Sequence, residues 1–164
     1  MGGEAPSADC PLTEKGRSDA IALGARLAGR SASAIVWTSP ERRASETAAL
    51  AFRGVVADVR DQLSEVKKPW YPSVDELTDA VVKYLRDEHV NGWEPHEDVI
   101  TRISQLKLGF GSPEGLVLVS HGLLLTSWIL HELRLPDPFS FWSDLRMPDA
   151  WEFDLDKMSL DRIL

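Results

Sequence analysis

The chain has 164 residues, 43% hydrophobic and 27% charged, with a formal net charge of −8 at pH 7. That length suits one domain over residues 1–164 with a properly buried core, and the acidic balance argues against nucleic acid or an anionic membrane as a partner, because both are met by basic surfaces. Cys10 is the only cysteine, which excludes an intramolecular disulfide and fits a reducing compartment.

No apolar run approaches the roughly 20 residues of a membrane span. The N-terminus has neither an apolar run nor a basic lead, so the cytoplasm is the default expectation.

Residues 1–12 are small, polar and proline-containing, and read as loop. Thr13 can cap a helix over 14–29, in which Ala20, Ile21, Leu23, Leu27 and Ala28 give an apolar stripe and Gly29 a stop. Ala34–Trp37 is a short apolar run between turn formers, the pattern of a buried strand. Pro40 suits the first turn of a second helix running to about Phe52, and Val55–Val59 reads as the next strand. Residues 60–75 lack periodicity and form a loop around Lys67-Lys68-Pro69-Trp70-Tyr71-Pro72.

Helices are expected near 74–88 and 95–108, followed by a turn-rich break over Gly109–Gly115. Leu116–Val119 is an apolar strand, 122–134 an apolar helix, and 150–155 a last strand. Strands alternating with helices predict an α/β fold with a largely parallel sheet. In such sheets functional groups gather where strands end and helices begin. Ser39–Arg43 and Ser120–Gly122 both fall at such turns.

Three residues could carry chemistry. Arg43, in the first turn of its helix, offers a planar, permanently charged fork to phosphate oxygens, and the helix N-terminus adds backbone donors; its bland alternative is a surface pairing with Glu46 or Glu41. His121 follows an apolar strand and precedes Gly122, which lets backbone approach closely; a capping or core histidine is the alternative. Glu65 could protonate a leaving oxygen or be a surface carboxylate.

Trp70 and Tyr71, beside Lys67-Lys68, are candidates for substrate selection, with Trp93 as a further pocket wall. Trp37, Trp128 and Trp151 read as core, and His89 and His96 as solvated. Cys10 lacks the arginine six residues on that a cysteine phosphatase loop requires, since Gly16 stands there. No metal-ligand cluster, P-loop, dinucleotide loop or Gly-x-Ser-x-Gly motif is present.

Taken in order, these segments resemble the histidine phosphatase superfamily, also called phosphoglycerate mutase-like. Pro11-Leu12-Thr13-Glu14-Lys15-Gly16 is similar to the family's Leu-Thr-x-x-Gly lead into its first helix. Ser39-Pro40…Arg43-Ala44…Thr47-Ala48 resembles its Ser-Pro-x-x-Arg-Ala-x-x-Thr-Ala segment, Leu63-x-Glu65 its acid loop, and Ser120-His121-Gly122 its second histidine. The resemblance implies a three-layer α/β sandwich and hydrolysis of a small phosphorylated metabolite through a phosphohistidine. Arg43, Gly122 and Trp70 would then bind substrate and His121 and Glu65 act in catalysis. It implies no metal and no other cofactor.

The sequence departs from the family at one place. Met1-Gly2-Gly3-Glu4-Ala5 stands where Arg-His-Gly-Glu-Ala is expected, and no histidine precedes His89. As the sequence stands the nucleophile has no counterpart, so activity is expected to be impaired and a first, central strand to be missing; a start placed too late, a truncation or a natural non-catalytic relative would each account for it, and the fit of Gly3-Glu4-Ala5 favours the first two. Another chain, or a segment of this one, could fill that gap, so a homo-oligomer stays open. A non-catalytic relative that binds a phosphorylated ligand or a protein partner, and a mutase-type phosphotransferase, stay open as alternatives.

Overall fold

The structure, a computed structural model, describes residues 8–29, 35–106, 115–154 and 156–163. Its elements in chain order are α1 (Glu14–Leu27), β1 (Ile35–Thr38), α2 (Arg42–Ala51), β2 (Asp58–Val59), a 3₁₀ turn (Asp61–Leu63), α3 (Val74–Leu85), α4 (His96–Ser104), β3 (Leu116–Val119), α5 (Gly122–Leu133), α6 (Pro138–Ser143), β4 (Trp151–Asp154) and β5 (Ser159–Arg162). The expected break at Gly109–Gly115 falls almost wholly outside the described residues.

The sheet explains the layering. Strands run in the order β2-β1-β3, all parallel, with Ile35 opposite Leu116 and Thr38 opposite Val119. Side chains alternate across a strand, and the two faces carry different apolar clusters. Val36, Val117 and Val119 meet Leu23, Leu27, Ala48, Ala51 and Phe52 of α1 and α2. Trp37, Leu116 and Leu118 meet the other cluster, built on α3, α4 and α5 around Leu63, Val81, Val99, Ile103 and Leu124. Helices on both faces of a parallel sheet make the three layers that the sequence predicts.

The local signals act as expected at several ends. Thr13 caps α1, its hydroxyl accepting from the Gly16 amide at 3.1 Å. Ser73 caps α3 by accepting from Asp75 and Glu76. Gly24 lets α1 cross α2 closely, because a Cβ there would lie 2.2 Å from the Ala51 carbonyl oxygen.

Five expectations need correction. The helix of Arg42–Ala51 begins after Pro40, with Glu41 as the extended N-cap residue, because the Ser39 hydroxyl takes the Glu41 amide at 3.3 Å and holds the turn open. Strand β2 holds only Asp58–Val59; Gly54 turns at a φ of 87° and Val56, 93% exposed, has nothing to pack on. The last strand is one arm of an antiparallel hairpin, Trp151 opposite Arg162, whose second arm carries no strand signal in the sequence. Trp151 is only half-buried, with the Arg162 guanidinium 5.1 Å over its ring.

The fifth concerns the missing first strand, an expectation that is not borne out. Strands β1 and β3 are direct neighbours over four residue pairs, with no gap between them. The segment Met1–Ala5 lies outside the described residues. Among the described residues no helix is long and apolar enough to cross a membrane.

Candidate active site

The parallel sheet brings the C-terminal ends of β1 and β3 side by side, and each strand hands over to a helix there. The Ser39 amide donates to the Val119 carbonyl at 2.9 Å, the last rung before the chains diverge. Beyond it the β1–α2 turn carries Ser39, Glu41 and Arg43, and the β3–α5 turn carries Ser120, His121 and Gly122. The loop from β2 to α3 closes the third side with Leu63–Lys68. Ser120 pins this loop to β3 by donating to the Leu63 carbonyl at 2.7 Å.

Arg43 and His121, 78 residues apart in sequence, meet here, with Nη2 of Arg43 3.3 Å from Nδ1 of His121. Nε2 of His121 lies 2.9 Å from the Ser39 hydroxyl and in direct contact with a Glu41 carboxylate oxygen. A guanidinium can only donate, so Nδ1 must be the lone-pair nitrogen and the proton sits on Nε2. His121 is thus the N-cap residue of α5 without capping it; its extended backbone (φ −122°, ψ 153°) leaves the ring free to face Arg43.

Burial, then the nearby positive charges of Arg43, Lys68 and Arg102, push His121 down to about 3. The Glu41 carboxylate opposes this at Nε2. A proton on Nδ1 would point at a cation, so the downward direction wins.

Glu41 is the residue that sequence reasoning treated only as a surface partner. One carboxylate oxygen accepts from the Ser39 hydroxyl at 2.9 Å and lies 3.6 Å from Arg43; the other accepts from the Glu65 amide at 3.1 Å. The signal for it was faint: a long acidic side chain at an N-cap position, where Ser, Thr, Asp or Asn usually sits.

Glu65 lies beside this hollow, but its Oε1 is committed. It accepts from the amides of Val66 at 2.9 Å and Leu124 at 3.0 Å, so it supplies the N-terminal cap that His121 does not. Arg102 braces the loop behind it, donating to the Gln62 carbonyl at 2.6 Å and pairing with Glu94 at 2.8 Å.

Gly122 opens α5, and a Cβ there would come within 3.2 Å of Leu145 and Met147 side-chain ends. Trp70 is exposed, and among the described residues no hydrogen bond, ion pair or ring contact joins it to Arg43 or His121. Tyr71 and Trp93 turn to each other, the indole donating to the Tyr71 hydroxyl at 2.7 Å.

His89 is exposed, as expected. His96 is not solvated: its ring packs edge-on to Tyr84 and its Nδ1 lies 3.4 Å from Asp87. Among the described residues no group of three or more His, Cys, Asp or Glu side chains could hold a metal ion.

A cation, a buried imidazole N–H, a hydroxyl and a backbone amide converging on one hollow make an anion cradle. No curated protein sequence matches the chain. Among solved structures it is similar to YhfR of Bacillus stearothermophilus, at 25% identity and a TM-score of 0.70, over 94% of this chain and 83% of that one.

It is also similar to the mycobacterial glucosyl-3-phosphoglycerate phosphatase. The native form matches at 26% identity and a TM-score of 0.59, over 84% of this chain and 74% of that one. The form complexed with VO3 matches at 27% identity and a TM-score of 0.61, over 80% and 75%. The model of the histidine phosphatase superfamily (branch 1) matches residues 5–151. With Arg43 and His121 meeting at adjacent strand ends of a three-layer fold, the chain belongs to the histidine phosphatase superfamily, branch 1.

Proposed function

We propose that this chain binds the terminal phosphoryl group of a small phosphomonoester in the hollow between Arg43, His121 and Ser39, and that its activity is of the phosphatase type. The observation that carries the reading is the 3.3 Å approach of Arg43 to His121 from two separate strand ends. The phosphatase among its structural relatives supports it.

In this reading Arg43 holds two phosphoryl oxygens, and the Nε2 proton of His121 is donated to a third. Glu65 is the proton donor to the leaving oxygen. Both its amide bonds fall on Oε1, which leaves Oε2 for the proton.

Turnover is expected to be weak. His121 has one nitrogen facing Arg43 and the other protonated, which suits a donor to oxygen rather than an attacker of phosphorus. Within residues 1–164 no histidine precedes His89 to take the nucleophile's part. Loss of a covalent nucleophile costs on the order of 10⁶-fold in kcat in other enzymes. That absence also favours a second reading, a member that binds a phosphorylated ligand without turning it over.

Titration with inorganic phosphate, beside p-nitrophenyl phosphate turnover, tests both. Arg43→Ala should weaken phosphate binding roughly 10- to 100-fold, the worth of a charge-assisted hydrogen bond. Undiminished binding by that variant rejects the site. Substantial turnover that His121→Asn abolishes rejects the binding-only reading.

A further inference from the structure

Glu41 is surrounded by the groups that an anionic ligand would use. Its carboxylate touches the Nε2 of His121, accepts from the Ser39 hydroxyl at 2.9 Å and the Glu65 amide at 3.1 Å, and stands 3.6 Å from the Arg43 guanidinium. Its side chain is 14% exposed and that of His121 6%, so little room for a second anion remains beside it. It makes no capping bond to α2, although it holds the N-cap position. Among the described residues its carboxylate meets Ser39, Arg43, Glu65 and His121, all members of the cradle, and no backbone amide of the helix it heads.

We infer that Glu41 is an internal competitor for the anion cradle: its carboxylate stands in for the ligand's oxyanion, and a phosphoryl group enters only by displacing it. The inference rests on the phosphate reading above and adds to it a residue that sets affinity and selectivity. The carboxylate and the phosphoryl group cannot share the hollow, since two anions on one guanidinium and one neutral imidazole repel at short range.

A ligand must therefore offer the cradle more than Glu41 does. A phosphomonoester dianion brings more charge and three oxygens where the carboxylate brings one charge and two. Lys68 and Arg102, whose positive charge reaches His121, favour the more highly charged group. A carboxylate ligand or a phosphodiester monoanion brings no more charge than Glu41 itself. The site is thereby selective for terminal, dianionic phosphoryl groups.

The experiment is calorimetric titration of the full chain with inorganic phosphate and with acetate, as wild type, Glu41→Gln and Glu41→Ala. Both variants are expected to bind phosphate at least about tenfold more tightly than wild type, and to gain measurable acetate binding. Glutamine keeps the shape and alanine vacates the space, so the effect of charge is read from two independently folding proteins. Phosphate affinities equal to or weaker than wild type in both variants would overturn the competition.

A second reading needs no ligand. The ¹H–¹⁵N resonances of the His121 imidazole should shift in Glu41→Gln, because the Nε2 proton loses its charged acceptor. Unshifted resonances would overturn the occupancy of the cradle by Glu41. If they shift while no form of the protein binds phosphate, the occupancy stands, and the phosphate reading falls together with the competition.

Discussion

Arg43 and His121 show how much a single residue's neighbours decide. From the sequence each was a charged or titratable side chain at a strand-to-helix turn, with an equally good bland alternative. Arg43 in fact does pair with Glu41, as its bland reading held, but that pair sits inside the hollow and not on the surface. The environment of His121 has a consequence for stability.

Its imidazole is held neutral with a pKa lowered to about 3 by burial and by Arg43, Lys68 and Arg102, against the contrary pull of Glu41. In the unfolded chain it takes up a proton near its ordinary value of about 6.5. The unfolded state then binds more protons over this window, so the stabilisation is complete above about pH 6.5 and is lost progressively as the pH falls toward 3. Urea unfolding midpoints should therefore drop between about pH 7 and about pH 5 by the equivalent of about 1–2 kcal/mol, and His121→Asn should flatten that part of the profile. A wild-type profile no steeper than the variant's would contradict the neutral histidine.

At the level of elements, caps and crossings explain the geometry better than propensities do. Helix α5 starts with Gly122 and takes its cap from Glu65, 59 positions before the Leu124 amide it accepts from. The candidate general acid thus also anchors the helix that presents His121, which ties the acid loop to the histidine mechanically. The α1–α2 crossing depends on Gly24. Alanine there should gain about 1 kcal/mol of helix propensity. Its Cβ, however, would lie 2.2 Å from the carbonyl oxygen of Ala51. A backbone atom cannot rotate away, so the helices must part and the Leu23, Ala48 and Ala51 packing loosens. Net destabilisation by Gly24→Ala of about 1–3 kcal/mol in equilibrium unfolding is expected. A stabilised variant would show that the crossing yields freely.

The element boundaries also mark where sequence reading fell short. The Thr13 cap and the β3 run were legible because each signal is local. The hairpin arm Ser159–Arg162 was not, since its pairing with Trp151–Asp154 is held by Arg162 reaching Asp144 at 2.8 Å and Asp149 at 2.5 Å, contacts across 13 to 18 residues.

For the molecule as a whole, the sheet separates two apolar clusters that share no buried residue. Substitutions in different clusters should therefore act independently. Leu23→Ala, in the α1–α2 layer, should cost about 2–5 kcal/mol, and Ile103→Val, on the buried face of α4, about 0.5–1.5 kcal/mol. The double variant should lose their sum to within about 0.5 kcal/mol in denaturant unfolding. A larger departure would mean that the two faces of the sheet are coupled through β1. The strand ends bring residues of both layers together, with Arg43 from α2 and His121 ahead of α5.

The order of helices and strands, the parallel sheet and the identity of Arg43, His121 and Glu65 as chemically able residues were all decided by local pattern: apolar periodicity, caps and glycine placement act over a few positions and can be read from them. Which oxygen meets which nitrogen was decided only in three dimensions. The Glu65 cap on α5, the tautomer of His121 and the seat of Glu41 each depend on loops brought together across 24 to 82 residues by the register of β1 on β3. A side chain's partner at that range is set by packing, which no short stretch of sequence encodes.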